Sequence, residues 1–418
     1  MFRKSSFRTR RSIFNTVWPQ VDWLLLALSI SLTIFGGIMI RSAELNMGWT
    51  DWHQHWIIGG IGLAIALMLA AYPYQNLILW RWPIYAMITL SLLTVDIIGT
   101  TALGAQRWIS IGGFNVQPSE FAKVGMIITL AAILQSKPAS KIINIVQALA
   151  LTSIPWLLVF IQPDLGTSLV FGAITLGMLY WANANPCWLL LMVSPLVSAI
   201  LYSVYLNGWL FWIVIVAVLA WFSLPWYRLG SIAAVLINIV SGKLALVFWG
   251  LLKDYQKDRL VLFLNPEKDP LGGGYHLIQS RIAIGAGEMT GQGLNQGSQT
   301  QLNFIPEQHT DFIFSAIGEE FGFIGGVLVL LVFWLLCWRL IHIARTSQDN
   351  FGGLLAIGVL SMIVFQVVVN IGMTIGLAPV TGIPLPWISY GRSALLTNFI
   401  AIGIVESVAN HRPKKEYY

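Results

Sequence analysis

Charged residues are scarce in this sequence. Of its 418 residues, 10% are charged and 56% are hydrophobic, and the mean hydropathy is +0.73. A soluble domain carries roughly a quarter charged residues, because its surface must face water. The composition therefore excludes an ordinary soluble domain and favours a protein whose outer surface contacts lipid. The 19 tryptophans agree with this interpretation, since Trp anchors helices at the bilayer interface.

Cysteine is nearly absent as well. Cys187 and Cys337 are far apart and lie in apolar stretches, which excludes a disulfide framework and a cysteine metal site. The glycines between Gly285 and Gly297 are not followed by Lys and Ser or Thr at phosphate-loop spacing, so nucleotide binding is not indicated. The basic residues behind the net charge of +6 are not gathered into one stripe, so no nucleic-acid partner is expected.

The sequence assigns no metal ligands. Asp51, His53 and His55 are close enough along the chain to bind an ion. Trp52 lies among them, however, and favours polar residues at a membrane interface.

Long apolar runs, in contrast, are abundant. A spanning helix needs about 20 mostly apolar residues. The sequence predicts twelve such helices, or ten if two of the runs within 187–251 do not span. The predicted spans are 22–40, 56–73, 82–99, 119–136, 142–161, 165–183, 187–205, 209–224, 230–251, 312–338, 353–376 and 385–408.

The distribution of Lys and Arg sets the orientation. An even number of spans puts both termini on one side. Lys and Arg are concentrated in the termini and predicted loops on that side, which is typical of cytoplasmic segments. We therefore predict an all-α polytopic membrane protein, a bundle of 10–12 transmembrane helices with cytoplasmic N- and C-termini. Residues 1–418 form a single domain, with a large extracytoplasmic loop at about 253–311.

Ionisable residues at membrane depth are costly and are candidates for function. Gln117 and Ser119 precede Glu120 and Lys123, which are three residues apart and share a helix face. The pair either neutralises itself and stabilises the bundle, or forms a charged wall of a polar cavity. Pro118 favours a helix start at this point.

Two further candidate groups lie at predicted outer turns. Asp164 either caps the next helix or places a carboxylate at the mouth of the bundle. The run from Glu307 to Phe312 includes His309, Thr310 and Asp311; Thr310 or Asp311 is expected to be the helix N-cap. A carboxylate here is a candidate general base. A helix N-terminus lowers its pKa and desolvation raises it, and the sequence does not decide between them.

Taken in order, these segments resemble the SEDS family of shape, elongation, division and sporulation proteins. The matching stretches are Gly104–Trp108, Gln117–Lys123, Gln162–Ser168, Asp269–Ser280, His309–Phe314, Asn370–Met373 and Pro379–Gly391.

The resemblance implies a peptidoglycan glycosyltransferase of the bacterial plasma (inner) membrane that polymerises lipid II during cell elongation. It implies that Asp311 is the general base, which deprotonates the acceptor 4-hydroxyl so that an inverting reaction forms a β-1,4 link. By the same analogy Glu120 and Lys123 belong to the functional cavity, and Lys123 and Arg107 steady the pyrophosphate.

The other candidate substrate-binding residues are Gln117, Ser119, Asp164, His309 and Thr310. The implied partners are a class B penicillin-binding protein and the undecaprenyl-pyrophosphate lipid. A divalent cation such as Mg²⁺ or Mn²⁺ stays open, with no ligands assigned.

Two departures from the family pattern are visible. The region 187–251 holds an additional hydrophobic hairpin, and Arg392 stands where the family has Gly. The alternative function is a flippase or transporter of a lipid-linked cell-wall precursor, since Pro-interrupted helices and intramembrane charges also suit transporters.

Overall fold

The protein is almost entirely helical. The computed structural model describes residues 21–46, 48, 51–102, 105–111, 114–251, 263, 266–270 and 274–412. Its long helices are α1 (Trp23–Glu44), α2 (Asp51–Ala71), α3 (Arg81–Ile98), α4 (Pro118–Leu134), α5 (Ile142–Ile161), α6 (Leu165–Trp181), α7 (Pro186–Val204), α8 (Leu206–Ser223), α9 (Tyr227–Leu251), α12 (Ile313–Thr346), α13 (Asn350–Thr374) and α14 (Arg392–Asn410). Two short helices, α10 (Tyr275–Ala286) and α11 (Ser298–Gln301), precede α12.

Each predicted span coincides with one of these long helices, so the predicted polytopic helical bundle is confirmed. Within the described ranges, nine helices are long and apolar enough to cross a membrane. The shorter α4 and α6 have 17 residues each and, like α3, are not among the nine. The orientation of the termini stays a prediction.

A small antiparallel sheet between α3 and α4 was not predicted. It consists of β1 (Thr100–Ala102), β2 (Ala105–Ile111) and β3 (Phe114–Val116), in the order β1-β2-β3. In the pairing of β2 with β3, Ile109 lies opposite Val116. The sheet brings the chain to Pro118, which is the first residue of α4 and suits that place because it has no N–H to satisfy.

The bundle has a buried centre and a lipid-facing periphery. In the most apolar stretches, 89% of the residues of α14 and 67% of those of α13 are buried, compared with 11% for α7. Nearly every side chain of α4 is buried as well, against α3, α6, α13 and α14. Helices in such a centre pack closely. At Gly403 they approach so closely that a Cβ would lie 2.6 Å from Ala66 Cα.

The region predicted to hold an additional hairpin contains three helices, α7 to α9, which pack mainly on one another. Buried polar side chains join them. Trp209 Nε1 donates to Ser198 Oγ at 2.8 Å, Ser198 Oγ donates to the Asn238 carbonyl at 2.7 Å, and Asn238 Nδ2 donates to Ser194 Oγ at 2.9 Å. Such bonds hold helices together where lipid gives no hydrophobic drive for association.

The described part of the predicted outer loop folds around the start of α12. The 34-residue α12 is interrupted at Gly322, whose φ of +63° favours glycine. A Cβ there would lie 2.4 Å from the Gly291 amide nitrogen. The kink therefore separates a short first part of α12, which packs against α10 and α11, from the long part.

Candidate functional site

The first turn of α4 carries a buried ion pair. Lys123 Nζ donates to Glu120 Oε2 at 2.8 Å, and both side chains are almost wholly buried. Ser119 lies buried beside them, and Gln117 is the N-cap residue of the helix, although its side chain makes no cap bond. The pair thus forms as predicted. Its geometry fits both the stabilising and the cavity-wall interpretation.

Arg107, Gln117 and Asp164 are brought together from three parts of the chain. Arg107 Nη1 lies 4.0 Å from Asp164 Oδ1, and its Nη2 donates to the carbonyl of Pro163. Gln117 Nε2 donates to Asp164 Oδ2 at 3.3 Å. This arrangement gathers a cation, an amide and a carboxylate between β2, the start of α4 and the start of α6.

Asp164 also caps α6, as expected. The Thr167 amide donates to Asp164 Oδ1 at 3.2 Å, and Thr167 Oγ1 donates to Oδ2 at 2.9 Å. The same carboxylate therefore caps α6 and contacts Arg107 and Gln117.

The prediction that Thr310 or Asp311 caps α12 is wrong. The N-cap residue is Phe312, whose side chain makes no cap bond. Thr310 Oγ1 turns back to Glu307 and donates to its carbonyl at 3.2 Å and to its Oε2 at 3.1 Å. Asp311 is partly buried one residue before the N-cap. The chain turns before α12, where Glu307 has a φ of +53° and its carbonyl accepts from the amides of Thr310 and Phe312.

A side chain of α13 holds the backbone of Asp311. Asn370 Nδ2 donates to the Asp311 carbonyl at 2.9 Å and to the Ile383 carbonyl at 2.8 Å. Asn370 is fully buried. Asn370 lies in one of the stretches that match the family pattern, but its role was not predicted, because a single Asn in an apolar run does not reveal its partners.

His309 lies against Tyr390 in the loop that precedes α14. The Tyr390 amide donates to the His309 carbonyl at 2.9 Å, and the two rings are 5.9 Å apart. Burial lowers the pKa of His309, although the charges of Glu307 and Asp51 oppose this shift. Burial, with the charge of Asp51 next, raises the pKa of Tyr390 to about 12, so its hydroxyl stays protonated.

The loop 375–391 contacts two parts of the site, the segment around Asp311 and the start of α6. It reaches the Asp311 group through Ile383 and Tyr390. It reaches the start of α6 at Thr381, whose carbonyl oxygen would lie 2.7 Å from a Cβ on Gly166. The loop makes these contacts through its backbone. Its part in the site could therefore not be predicted from the types of its residues.

Contacts with α2 and with the segment before α4 fix the end of this loop and the start of α14. Ser393, in the first turn of α14, accepts a hydrogen bond from the Gln117 amide at 3.0 Å. The buried Trp387 has a φ of +61°, and its carbonyl lies 3.2 Å from His55 Nε2. A bulky residue in the left-handed region is strained and persists only where its surroundings hold it.

Glu319 and Glu320 have structural roles. Glu319 accepts four hydrogen bonds from the start of α11, among them those from the Gln299 amide at 2.7 Å and the Thr300 amide at 2.9 Å. Glu320 accepts one from Ser42 Oγ. These bonds tie α12 to α11 and α1.

A second charged cluster lies at the opposite end of the bundle. Asp22 caps α1 and lies 2.6 Å from Arg339 Nε, while its amide donates to Glu406 Oε2 at 2.8 Å. These groups pair with one another, which suits a structural role.

Among the described residues, one group has the composition and spacing of a metal site. Ligand atoms of Glu44, Asp51 and His309 all lie within 4.8 Å of one another. From the sequence, Asp51 was a candidate metal ligand together with His53 and His55. In the structure, His55 lies beside the Trp387 carbonyl instead.

An apolar cavity of about 370 Å³ opens between α1, α2 and α14. Its lining includes Ile34, Trp56, Leu63 and Phe399. A cavity of this character fits a hydrocarbon chain better than a polar ligand.

The chain is similar along most of its length to known proteins. The FtsW/RodA/SpoVE family, described as cell cycle proteins, matches residues 22–215 and 208–414. The peptidoglycan glycosyltransferase MrdB of Escherichia coli K12 is 35% identical over 404 residues, which cover 95% of this chain and 96% of that protein. The peptidoglycan glycosyltransferase RodA of Treponema pallidum is 35% identical over 425 residues, which cover 93% and 97%.

A solved structure shares the fold. It belongs to a report on the structural coordination of polymerization and crosslinking by a peptidoglycan synthase complex. It aligns with a TM-score of 0.71 and 27% identity over 94% of this chain and 99% of that one.

Proposed function

This chain belongs to the FtsW/RodA/SpoVE family, and on that basis we propose that it is a peptidoglycan glycosyltransferase that polymerises lipid II during cell elongation. The names of the two relatives, each aligned over more than nine tenths of its length, support this activity. The observation that carries the proposal within the chain is the position of Asp311, whose backbone is held by Asn370. The loop that Asn370 also holds approaches the start of α6, where Asp164 lies beside Arg107.

Asp311 is the general base in this proposal. Its carboxylate takes the proton of the acceptor sugar's 4-hydroxyl as that oxygen attacks the anomeric carbon of the growing strand. The bond from that carbon to the lipid pyrophosphate breaks, and inversion gives the β-1,4 link. A positioned base contributes roughly 10²–10⁴-fold to such a step.

Lys123 and Arg107 differ in how well each is placed to bind the pyrophosphate. Lys123 is almost wholly buried and already paired with Glu120, so it is the weaker candidate for a phosphate contact. Arg107 has a side chain that is 20% exposed, makes a long contact to Asp164 and donates from Nη2 to the Pro163 carbonyl. Its remaining guanidinium N–H groups are the better candidates for a phosphate contact. Gln117, Ser119, His309 and Thr310 complete the proposed substrate-binding set.

The membrane setting follows from the same proposal. The chain lies in the bacterial plasma membrane as a single domain, with both termini in the cytoplasm and the Asp311 region on the outer face. The apolar cavity beside α1 and α2 suits the polyprenyl tail of the substrate. A class B penicillin-binding protein is the proposed partner, in line with the synthase complex whose chain shares this fold.

The test is glycan-strand formation from purified lipid II. Wild type, Asp311→Asn and the control Glu307→Gln are each co-purified with a penicillin-binding partner that lacks a glycosyltransferase domain. Glu307 is exposed, and glutamine keeps an acceptor for Thr310. We expect polymer from wild type and from Glu307→Gln, and at least about a hundredfold less from folded Asp311→Asn.

Other outcomes would count against parts of the proposal. Equal polymer from wild type and Asp311→Asn would keep the enzyme and remove this base. No polymer from wild type across several divalent cations, together with lipid II translocation in vesicles, would favour a flippase.

A further inference from the structure

We propose that Glu44, Asp51 and His309 bind one divalent metal ion, Mn²⁺ or Zn²⁺, where the end of α1 and the start of α2 meet the segment before α12. Their ligand atoms lie within 4.8 Å of one another. Ligands at about 2.0–2.3 Å from a shared ion are at most about 4.6 Å apart. Small side-chain adjustments therefore suffice to close the site. This site rests on these contacts and does not require the proposed polymerase activity.

The Glu44 carboxylate is the observation that points to a ligand. Glu44 is 1% exposed, and neither of its carboxylate oxygens has a hydrogen-bond partner. The backbone amides of Asp51 and Trp52 face this carboxylate. A buried polar group without a partner costs free energy, and an unpaired buried charge costs much more.

The position of Glu44 on its helix increases this cost. Glu44 is the last residue of α1, where the negative end of the helix dipole disfavours a carboxylate. A bound cation would supply the positive charge that this end of the helix requires.

The donor set indicates the class of ion. Two carboxylates and one imidazole suit Mn²⁺ or Zn²⁺, whereas Mg²⁺ and Ca²⁺ prefer oxygen ligands throughout. Three protein ligands leave positions for water or for an anionic ligand.

The surrounding bonds already hold these elements together. Gln308, adjacent to His309, donates from Nε2 to the Ala43 carbonyl at 2.7 Å, and Ala43 is adjacent to Glu44. Glu44 and His309 are therefore anchored through their neighbours. An ion here joins α1 and α2 to the chain two residues before Asp311.

The test is direct metal binding by the full chain in detergent after removal of metals with EDTA. Mn²⁺ is titrated, and electron paramagnetic resonance measures free and bound ion. We expect one bound Mn²⁺ per chain, displaced by Zn²⁺, with nitrogen modulation from the His309 imidazole in the pulsed spectrum. Glu44→Gln should lower the affinity by about tenfold or more, and His309→Gln should remove the nitrogen modulation.

Asp96→Asn is the matched control, because Asp96 is an exposed acidic residue outside the cluster and its variant should bind Mn²⁺ as wild type does. Folding is followed by thermal unfolding with and without Mn²⁺. Wild type and Asp96→Asn should gain stability with the ion, and Glu44→Gln should not. If Glu44→Gln binds Mn²⁺ as wild type does, or if wild type binds none, the proposal is wrong.

Discussion

The side-chain amide of Asn370 lies 2.9 Å from the backbone carbonyl of Asp311, 59 residues away in sequence. The same nitrogen donates to Ile383 at 2.8 Å, so one buried group on α13 positions two loops. Asp311 itself precedes the helix and does not cap it. Its position therefore depends on tertiary hydrogen bonds, and this makes the Asn370 contact open to a direct test.

Asn370→Asp should reduce polymerisation of lipid II by tenfold or more, because it replaces a donor with an oxygen that faces two carbonyls. Each buried carbonyl left without a donor costs about 1–3 kcal/mol. The measurement is the rate of glycan-strand formation, with thermal unfolding in parallel. Ser361→Ala on the same helix is the control, since the Ser361 hydroxyl donates within its own helix. Wild-type activity in Asn370→Asp would show that this contact does not position Asp311.

Substitutions of Glu120 and Lys123 should be coupled in their effect on the free energy of unfolding, but restoring stability should not restore activity. Glu120→Gln leaves the buried Lys123 charge unpaired and should cost about 3–5 kcal/mol. Glu120→Gln with Lys123→Met should recover much of that loss, because no unpaired charge remains. A double-mutant cycle in chemical denaturant measures the coupling.

Lipid II polymerisation by the same variants separates the two interpretations of the pair. If the pair is part of the functional cavity, the stable double variant stays inactive. An active double variant would leave the pair with a structural role alone.

Asp164 should matter for more than its helix cap. Asp164→Ala removes the cap of α6, at a cost of about 0.5–2 kcal/mol, and also the contacts to Arg107 and Gln117. Asp349→Ala removes the matching cap of α13, where the Gly352 amide donates to Asp349 at 2.8 Å.

We expect similar losses of thermal stability in both cap variants, and a loss of polymerase activity in Asp164→Ala only. Equal activity in the two would limit Asp164 to capping.

Gly36 should not tolerate a side chain, because α1 passes close to the loop before α14. A Cβ at Gly36 would lie 2.7 Å from the Ile388 Cα and from the Trp387 carbonyl oxygen. Gly36→Ala should therefore destabilise the protein by about 1–3 kcal/mol, measured as a lower midpoint of thermal unfolding.

Gly60→Ala is the control, since a Cβ there meets nothing within 4 Å and alanine favours the helix. A lowered midpoint in both variants would mean that the close approach of α1 to the loop is not the cause.

Local signals predicted the helices well and the start of α12 poorly. The ion pair of Glu120 with Lys123 and the cap at Asp164 both formed, because each depends on residues within four positions of one another. The cap expected at Thr310 or Asp311 did not form, since Thr310 bonds back to Glu307. The small sheet was missed because short strands between long apolar runs carry little periodic signal.

The sequence by itself determined a helical membrane bundle, because apolar runs of spanning length allow few other structures in lipid, where the backbone must satisfy its own hydrogen bonds. Only the tertiary structure decided which polar residues meet. Asp164 joins Arg107 and Gln117, Asn370 holds Asp311, and Glu44 lies beside His309. Partners so far apart in sequence are chosen by how the helices pack, and no local pattern records that choice.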